Sequence, residues 1–174
     1  MTNWTNQQKS DNGLMSVFSA NVKLYLGIKD GFSSGDPARW LLDSFQLMNI
    51  SWPNMYGDYS FLVVPASKAL ENWIIIIATD INIEIKTDKI GVIRDQIESV
   101  LNPELLKIEK NLAKTVKLEL EFLKLFIKEY RYDIVHQEKK IESFELAKSK
   151  IYAIYERINS ITDKLLEAKI ISIE

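Results

Sequence analysis

Apolar residues recur every three or four positions along most of this chain, which is the spacing of one face of an α-helix. The longest such run predicts a helix from Pro103 to about Tyr130, roughly 40 Å long at 1.5 Å per residue. A second apolar stripe on the same segment predicts that this helix packs on two sides. The first face of that helix comprises Leu105, Ile108, Leu112, Val116, Leu120, Leu123 and Ile127, and the second comprises Phe122, Leu125 and Phe126.

The same spacing predicts a last helix from about Glu142 to Ala168, with its core face at Ile151, Ile154, Ile158, Ile161 and Leu165. Earlier helices are predicted from their start signals. Asp36-Pro37 resembles an N-cap followed by the first helical residue and predicts a helix to about Met48. Pro65-Ala66-Ser67 predicts the start of another helix.

Three further segments complete the prediction of secondary structure. Residues 14–28 predict a helix from Leu14 to Ile28, closed by the glycine-rich run from Lys29 to Gly35. Residues 74–85 mix a buried-helix pattern with alternation typical of a strand, and we favour a helix that ends near Thr79, followed by an extended or 3₁₀ passage. A short helix is predicted through 93–101.

These elements predict an all-α protein, a bundle of about four to six helices with one long central helix. The chain has only six glycines and four prolines, fewer than a sandwich or barrel of short strands would need. The turn-rich stretch from Ser51 to Tyr59 predicts a division into residues 1–57, an N-terminal helical segment of unknown role, and residues 58–174, the main helical domain.

Composition narrows the chemistry further. The chain has 174 residues, no cysteine and one histidine, so disulfides, cysteine-based zinc sites and histidine-rich metal sites within one chain are excluded. No tight Asp/Glu cluster suggests a metal, although a carboxylate-bound Mg²⁺ stays open. No cofactor is expected. No signal peptide is evident and the apolar run at 73–78 is too short to span a bilayer, so a soluble, cytoplasmic protein is expected.

The strongest candidate chemistry lies in residues 131–136. Arg131 offers a planar fork of donors that suits anionic phosphate oxygens, and His136 can exchange a proton near neutral pH. The predicted helices place this stretch in a turn between two antiparallel helices. The ordinary alternative is that a lone histidine at a helix start is a surface or capping residue. With a net charge of -2, any contact with nucleic acid should be local, as in an enzyme pocket.

An arginine followed after four residues by a histidine, in an all-helical chain, resembles the HEPN superfamily, whose members carry this pair four to six residues apart. The segment from Pro65 to Glu71 resembles the part of the RnlA/LsoA (ribonuclease LS type) toxins that carries their active-site glutamate, which maps onto Glu71. The resemblance covers about residues 58–168. The chain departs from it in lacking the further N-terminal domains of those toxins, and in having Tyr132 where many HEPN nucleases have a polar residue.

The resemblance implies a metal-independent endoribonuclease, the toxin of a toxin–antitoxin or antiphage system, with a cognate antitoxin protein as partner. Arg131, His136 and Glu71 would be its catalytic residues. A single histidine cannot be both base and acid in one turnover without a second proton-transfer group, which favours a homodimer with a composite site. A non-catalytic HEPN module that binds RNA, nucleotide or a partner is the main alternative, and a structural dimerisation domain is a third. Weaker candidates for substrate contacts are Lys68, Tyr130, Tyr132 and Lys139.

Overall fold

The computed structural model describes residues 16–29, 32–33, 36–50, 57–84 and 140–173, together with isolated positions between 92 and 129. Four helices run through the continuous ranges, and two-residue strands β1 and β2 pair as a small antiparallel hairpin. This arrangement confirms the predicted all-α class. The elements are α1 (Ala20–Tyr25), β1 (Ile28–Lys29), β2 (Phe32–Ser33), α2 (Asp36–Met48), α3 (Ser60–Asp80) and α4 (Phe144–Glu167).

Helix α3 lies at the centre of the described fold, with α2 and α4 packed against it. Between α3 and α4, the buried Trp73 indole Nε1 donates a hydrogen bond to Thr162 Oγ1 at 2.9 Å. By length and composition α3 is apolar enough to cross a membrane, with a mean hydropathy of 1.6 over its most apolar stretch. One such helix is weak evidence for a membrane span, because the core helix of a soluble protein can have the same length and composition.

The start of α3 corrects one prediction. The helix expected to begin at Pro65 begins at Ser60, so Pro65 lies inside it. A proline there has no N–H to give to the carbonyl one turn earlier, which normally breaks a helix. Two hydrogen bonds to residues outside the helix hold the start of α3 before Pro65. Tyr59 N donates to Ile141 O at 2.8 Å, and Ser60 N donates to Asp58 Oδ1 at 2.9 Å.

Helix α1 is shorter than the predicted helix from Leu14 to Ile28. The Ser19 side chain accepts a hydrogen bond from Val22 N at 3.2 Å and caps the helix there. The Ser19 backbone N–H also donates to Asn159 Oδ1 on α4 at 2.8 Å, which fixes the break. At the other end Gly27 has a positive φ of 69°, which turns the chain into β1. The prediction was too long because the break at Ser19 depends on Asn159, a residue 140 positions away, while apolar residues continue on both sides of Ser19.

Helix α2 has the predicted bounds, and α4 starts and ends within two residues of its predicted ones. All five residues of the predicted α4 core face are buried. Helix α3 ends one residue after the predicted Thr79. There Asn82, with φ of 59°, donates from its N–H to Thr79 O, and Ile83 donates to Ala78 O, which together form a Schellman motif.

The long helix predicted from Pro103 to Tyr130 lies largely outside the described residues, as does the short helix predicted through 93–101. In the long predicted helix, the described positions 111, 114, 115, 117 and 118 are α-helical, and positions 128 and 129 are π-helical. Residues of α1 and α2 share one buried cluster with α3 and α4. The division of the chain at residue 57 stays a prediction.

Candidate functional site

Two of the predicted site residues lie on α3 and contact each other. Lys68 Nζ lies 3.1 Å from Glu71 Oε2, one helical turn away. The Lys68 side chain is 42% exposed and that of Glu71 is 18% exposed, so the pair sits at the edge of the core. Lys68, a weaker candidate for contact with substrate, is thus paired with a carboxylate in the structure. Lys68 is not the only group with which Glu71 interacts.

The remaining predicted site residues, Arg131, His136, Tyr130, Tyr132 and Lys139, lie outside the described residues. The chain immediately before them is described. Glu129 is exposed and its Oε1 accepts a hydrogen bond from Lys150 Nζ of α4 at 2.9 Å. Because Lys150 is six residues into α4 from Phe144, the residue two positions before Arg131 is held beside the first turns of that helix.

The chain immediately after the predicted site is described as well, and it is held to the start of α3. Ile141 N donates to Asp58 Oδ1 at 3.1 Å, and Ile141 O accepts from Tyr59 N at 2.8 Å. The Ile141 side chain is buried. We call these contacts the Asp58–Ile141 junction. Since it joins residues just before α3 and just before α4, the two helices start side by side.

Asp58 is held in its charged form at this junction. Its partial burial would raise the pKa of the carboxyl, but hydrogen bonds from the Ser60 hydroxyl and N–H and from Ile141 N–H, helped by the charge of Lys140, outweigh it. The pKa of Asp58 therefore lies below its usual range. All three donors meet Oδ1, with the Ser60 hydroxyl at 2.5 Å.

Sequence reasoning missed Asp58 and Lys150. Asp58 carried a local signal, because an aspartate side chain commonly accepts a hydrogen bond from the backbone N–H two residues later, here that of Ser60. Its bond to Ile141 carried none, because the two residues are 83 positions apart. The Glu129–Lys150 contact carried no sequence signal either, because the two residues are 21 positions apart and no helical spacing connects them.

Two cavities in the described part of the chain lie near the C-terminal ends of α3 and α4. One, of about 560 Å³, is lined by Tyr25, Asp80 and the segment from Lys169 to Ile173. Burial, followed by the Asp80 carboxylate, raises the pKa of Tyr25. This end is about 30 Å from Ser60 along α3. Among the described residues no group of three or more His, Cys, Asp or Glu side chains is placed to hold a metal.

A scan against models of protein families finds no match, and searches of curated proteins and of solved structures find none either. Function is therefore inferred from the residues and contacts above, with the HEPN resemblance as the source of the hypothesis.

Proposed function

We propose that this protein is a metal-independent endoribonuclease. The ribose 2′-oxygen attacks the adjacent phosphorus and the bond from phosphorus to the 5′-oxygen breaks. The 2′-OH proton passes to a base on the protein, and an acid gives a proton to the departing 5′-oxygen. The products are a 2′,3′-cyclic phosphate and a 5′-OH. The single observation that carries the proposal is the Arg131–His136 pair, five positions apart between two helical segments.

Each proposed catalytic residue has a role that suits its chemistry. The Arg131 guanidinium stabilises the charge that develops on the phosphoryl oxygens. His136 transfers the proton. Glu71 orients an imidazole or accepts a proton, and in that role it would share its carboxylate with the Lys68 ammonium 3.1 Å away. Tyr130 and Tyr132 offer rings on which unpaired bases stack, and Lys139 offers a charge to the phosphate backbone.

The described contacts support a rigid base for such a site. Glu129–Lys150 holds the chain before Arg131 to α4, and the Asp58–Ile141 junction holds the chain after His136 to α3. The starts of α3 and α4 are adjacent, so the two ends of the intervening segment approach the same end of the bundle. A site in that segment would be attached at both ends to helices of the bundle, which helps to fix catalytic groups.

The test is cleavage of a single-stranded RNA with EDTA present. We expect Arg131→Ala and His136→Ala each to lower kcat by roughly 100-fold or more, which is the usual loss for a charge-stabilising or proton-transferring group. Arg39→Ala is the matched control, because Arg39 is exposed on α2, away from the α3–α4 starts. RNA binding without cleavage by the wild-type protein would contradict the enzyme and support the non-catalytic HEPN module.

We also propose a homodimer with a composite site, because where Glu71 only orients the imidazole, the second proton-transfer group has to be the histidine of a second chain. Mixing wild-type protein with His136→Ala protein tests this. If both histidines of a dimer are required, an equal mixture after subunit exchange has about one quarter of the activity of the same total amount of wild-type protein, because about one dimer in four has two wild-type chains. A retained activity of about one half would contradict the composite site and leave each chain acting alone.

The biological role proposed is that of a toxin restrained by a cognate antitoxin protein in the cytoplasm. Induced expression of the wild-type chain should arrest bacterial growth, while His136→Ala at the same protein level should not. If both proteins arrest growth equally, the arrest does not come from RNA cleavage and the toxin role fails.

A further inference from the structure

The cavity of about 560 Å³ near the C-terminal ends of α3 and α4 has an unsatisfied hydroxyl in its lining. Tyr25 and Asp80 are among the residues that line this cavity. In the part of the chain that the structure describes, the Tyr25 hydroxyl is the one buried side-chain oxygen or nitrogen without a hydrogen-bond partner. Buried polar groups are normally paired, so an unpaired hydroxyl in a cavity lining indicates a place for a molecule that forms hydrogen bonds.

Asp80 brings a negative charge close to this hydroxyl. Burial raises the pKa of Tyr25 and the Asp80 carboxylate raises it further, so the hydroxyl keeps its proton. The two groups are neighbours, but their geometry is not that of a well-formed hydrogen bond. Both oxygens have lone pairs that accept hydrogen bonds. A third group with several N–H donors can therefore bind the Asp80 carboxylate and the Tyr25 oxygen together.

The ends of two long helices add negative potential at the same cavity. Asp80 is the last residue of α3, and Lys169, which also lines the cavity, follows the end of α4 by two residues. The C-terminal end of a helix carries a partial negative charge and favours a nearby cation. Among the described lining residues Lys169 is the only basic one, and it forms no ion pair with Asp80. The Asp80 carboxylate is therefore available to a cation from outside.

We propose that this cavity binds a small organic cation, a primary amine with a short hydrocarbon chain, whose ammonium group contacts both Asp80 and Tyr25. The ammonium group donates to the carboxylate and to the hydroxyl oxygen. The hydrocarbon chain lies against apolar lining residues such as Ile76 and Ile170. A metal ion fits less well, because no group of three or more His, Cys, Asp or Glu side chains among the described residues is placed to hold one. This inference uses none of the proposed catalytic residues, so it does not rest on the proposed function.

Three probes of the same chain length test the charge of the ligand: n-butylammonium, n-butanol and butyrate. Each is titrated at neutral pH and millimolar concentration into the full isotope-labelled chain, and the backbone amide signals are followed by NMR. We expect n-butylammonium to shift the signals of Tyr25, Asp80 and Lys169 in a saturable way. The neutral and anionic probes should bind at least roughly 10-fold more weakly, because they lack the charge-assisted hydrogen bond to the carboxylate.

Two variants and one control assign the binding to the two groups. Asp80→Asn removes the charge and keeps the shape, so it should weaken n-butylammonium binding roughly 10-fold or more. Tyr25→Phe removes one neutral hydrogen-bond acceptor and should weaken it roughly 3- to 10-fold. Glu156→Gln is the matched control, because it removes an exposed carboxylate of α4 roughly 16 Å before the end of that helix. Asp80 is exposed as well, so both charge variants should fold, which circular dichroism checks.

The competing explanation is that water alone occupies the cavity and hydrates both groups. In that case n-butylammonium produces no saturable shifts at the cavity, or the same shifts as n-butanol. Either result would overturn the inference. Equal affinities of wild type and Asp80→Asn would overturn it too, and so would an equal loss in Asp80→Asn and Glu156→Gln, which would indicate attraction to the overall charge of the protein.

Discussion

The hydrogen bond between Trp73 and Thr162 gives a sharp prediction for how α3 is held against α4. Trp73 Nε1 donates to Thr162 Oγ1 at 2.9 Å, and both side chains are fully buried. Thr162→Val replaces the hydroxyl with a methyl group of nearly the same volume. The variant opens no large cavity, and its main effect is to leave the buried indole N–H without its acceptor.

A buried donor left without a partner costs about 1–3 kcal/mol, and we expect Thr162→Val to lower the free energy of unfolding by that amount. For a protein of 174 residues this corresponds to a fall in Tm of roughly 2 to 12 °C. Urea unfolding followed by circular dichroism and by tryptophan fluorescence measures the loss. The slope of the free energy against urea should be unchanged, because the folded state remains as compact.

Tyr155→Phe supplies the comparison. The Tyr155 hydroxyl donates to Leu41 O at 2.9 Å and also contacts Ser44 Oγ. Because Ser44 Oγ donates to the same carbonyl at 2.8 Å, the Leu41 oxygen keeps a partner in Tyr155→Phe. That variant should lose only about 0.5–1.5 kcal/mol. A Thr162→Val protein as stable as wild type would refute the reasoning.

Three further predictions concern single positions. Lys169, two residues after the end of α4, has a φ of 55°, so Lys169→Gly should raise the free energy of unfolding by about 1 kcal/mol in urea titrations. Asn82→Gly, just after the end of α3, should raise it by less, because asparagine tolerates that conformation. The pKa of Asp58 is lowered in the folded state, so the contribution of this carboxylate to stability is complete above about pH 4 and is lost as pH falls below that. In acid titrations, the free energy of unfolding of Asp58→Asn should therefore depend less on pH than that of the wild-type protein. Lys68→Gln should cost at most about 0.5 kcal/mol by thermal unfolding, since its partner Glu71 is one turn away on the same partly exposed surface.

The sequence predicted helices well where local signals were sufficient. The five apolar residues of α4 repeat at helical spacing, and all of them are buried. Helix α2 was predicted from Asp36-Pro37 and has those bounds. The start of α3 was missed because Pro65 is a strong local signal for a helix start. The contact that overrides it, between Tyr59 and Ile141, joins distant parts of the chain.

The same limit applies to the candidate site. The chemistry of Arg131 and His136 can be read from their residue types and spacing, and the Lys68–Glu71 pair follows from helical spacing. The contacts that hold the flanking chain, Glu129 to Lys150 and Asp58 to Ile141, depend on tertiary packing. Patterns within single helices carry no information about them. These long-range contacts connect the proposed chemistry to the fold.

The most direct test of the central proposal uses two RNA substrates of the same sequence, one unmodified and one with every 2′-hydroxyl methylated, both incubated with wild-type protein and EDTA. We expect the unmodified RNA to be cleaved to products that end in a 2′,3′-cyclic phosphate, and the methylated RNA to remain intact. Cleavage of the methylated RNA, or products that carry a 5′-phosphate, would contradict attack by the 2′-oxygen and with it the proposed mechanism.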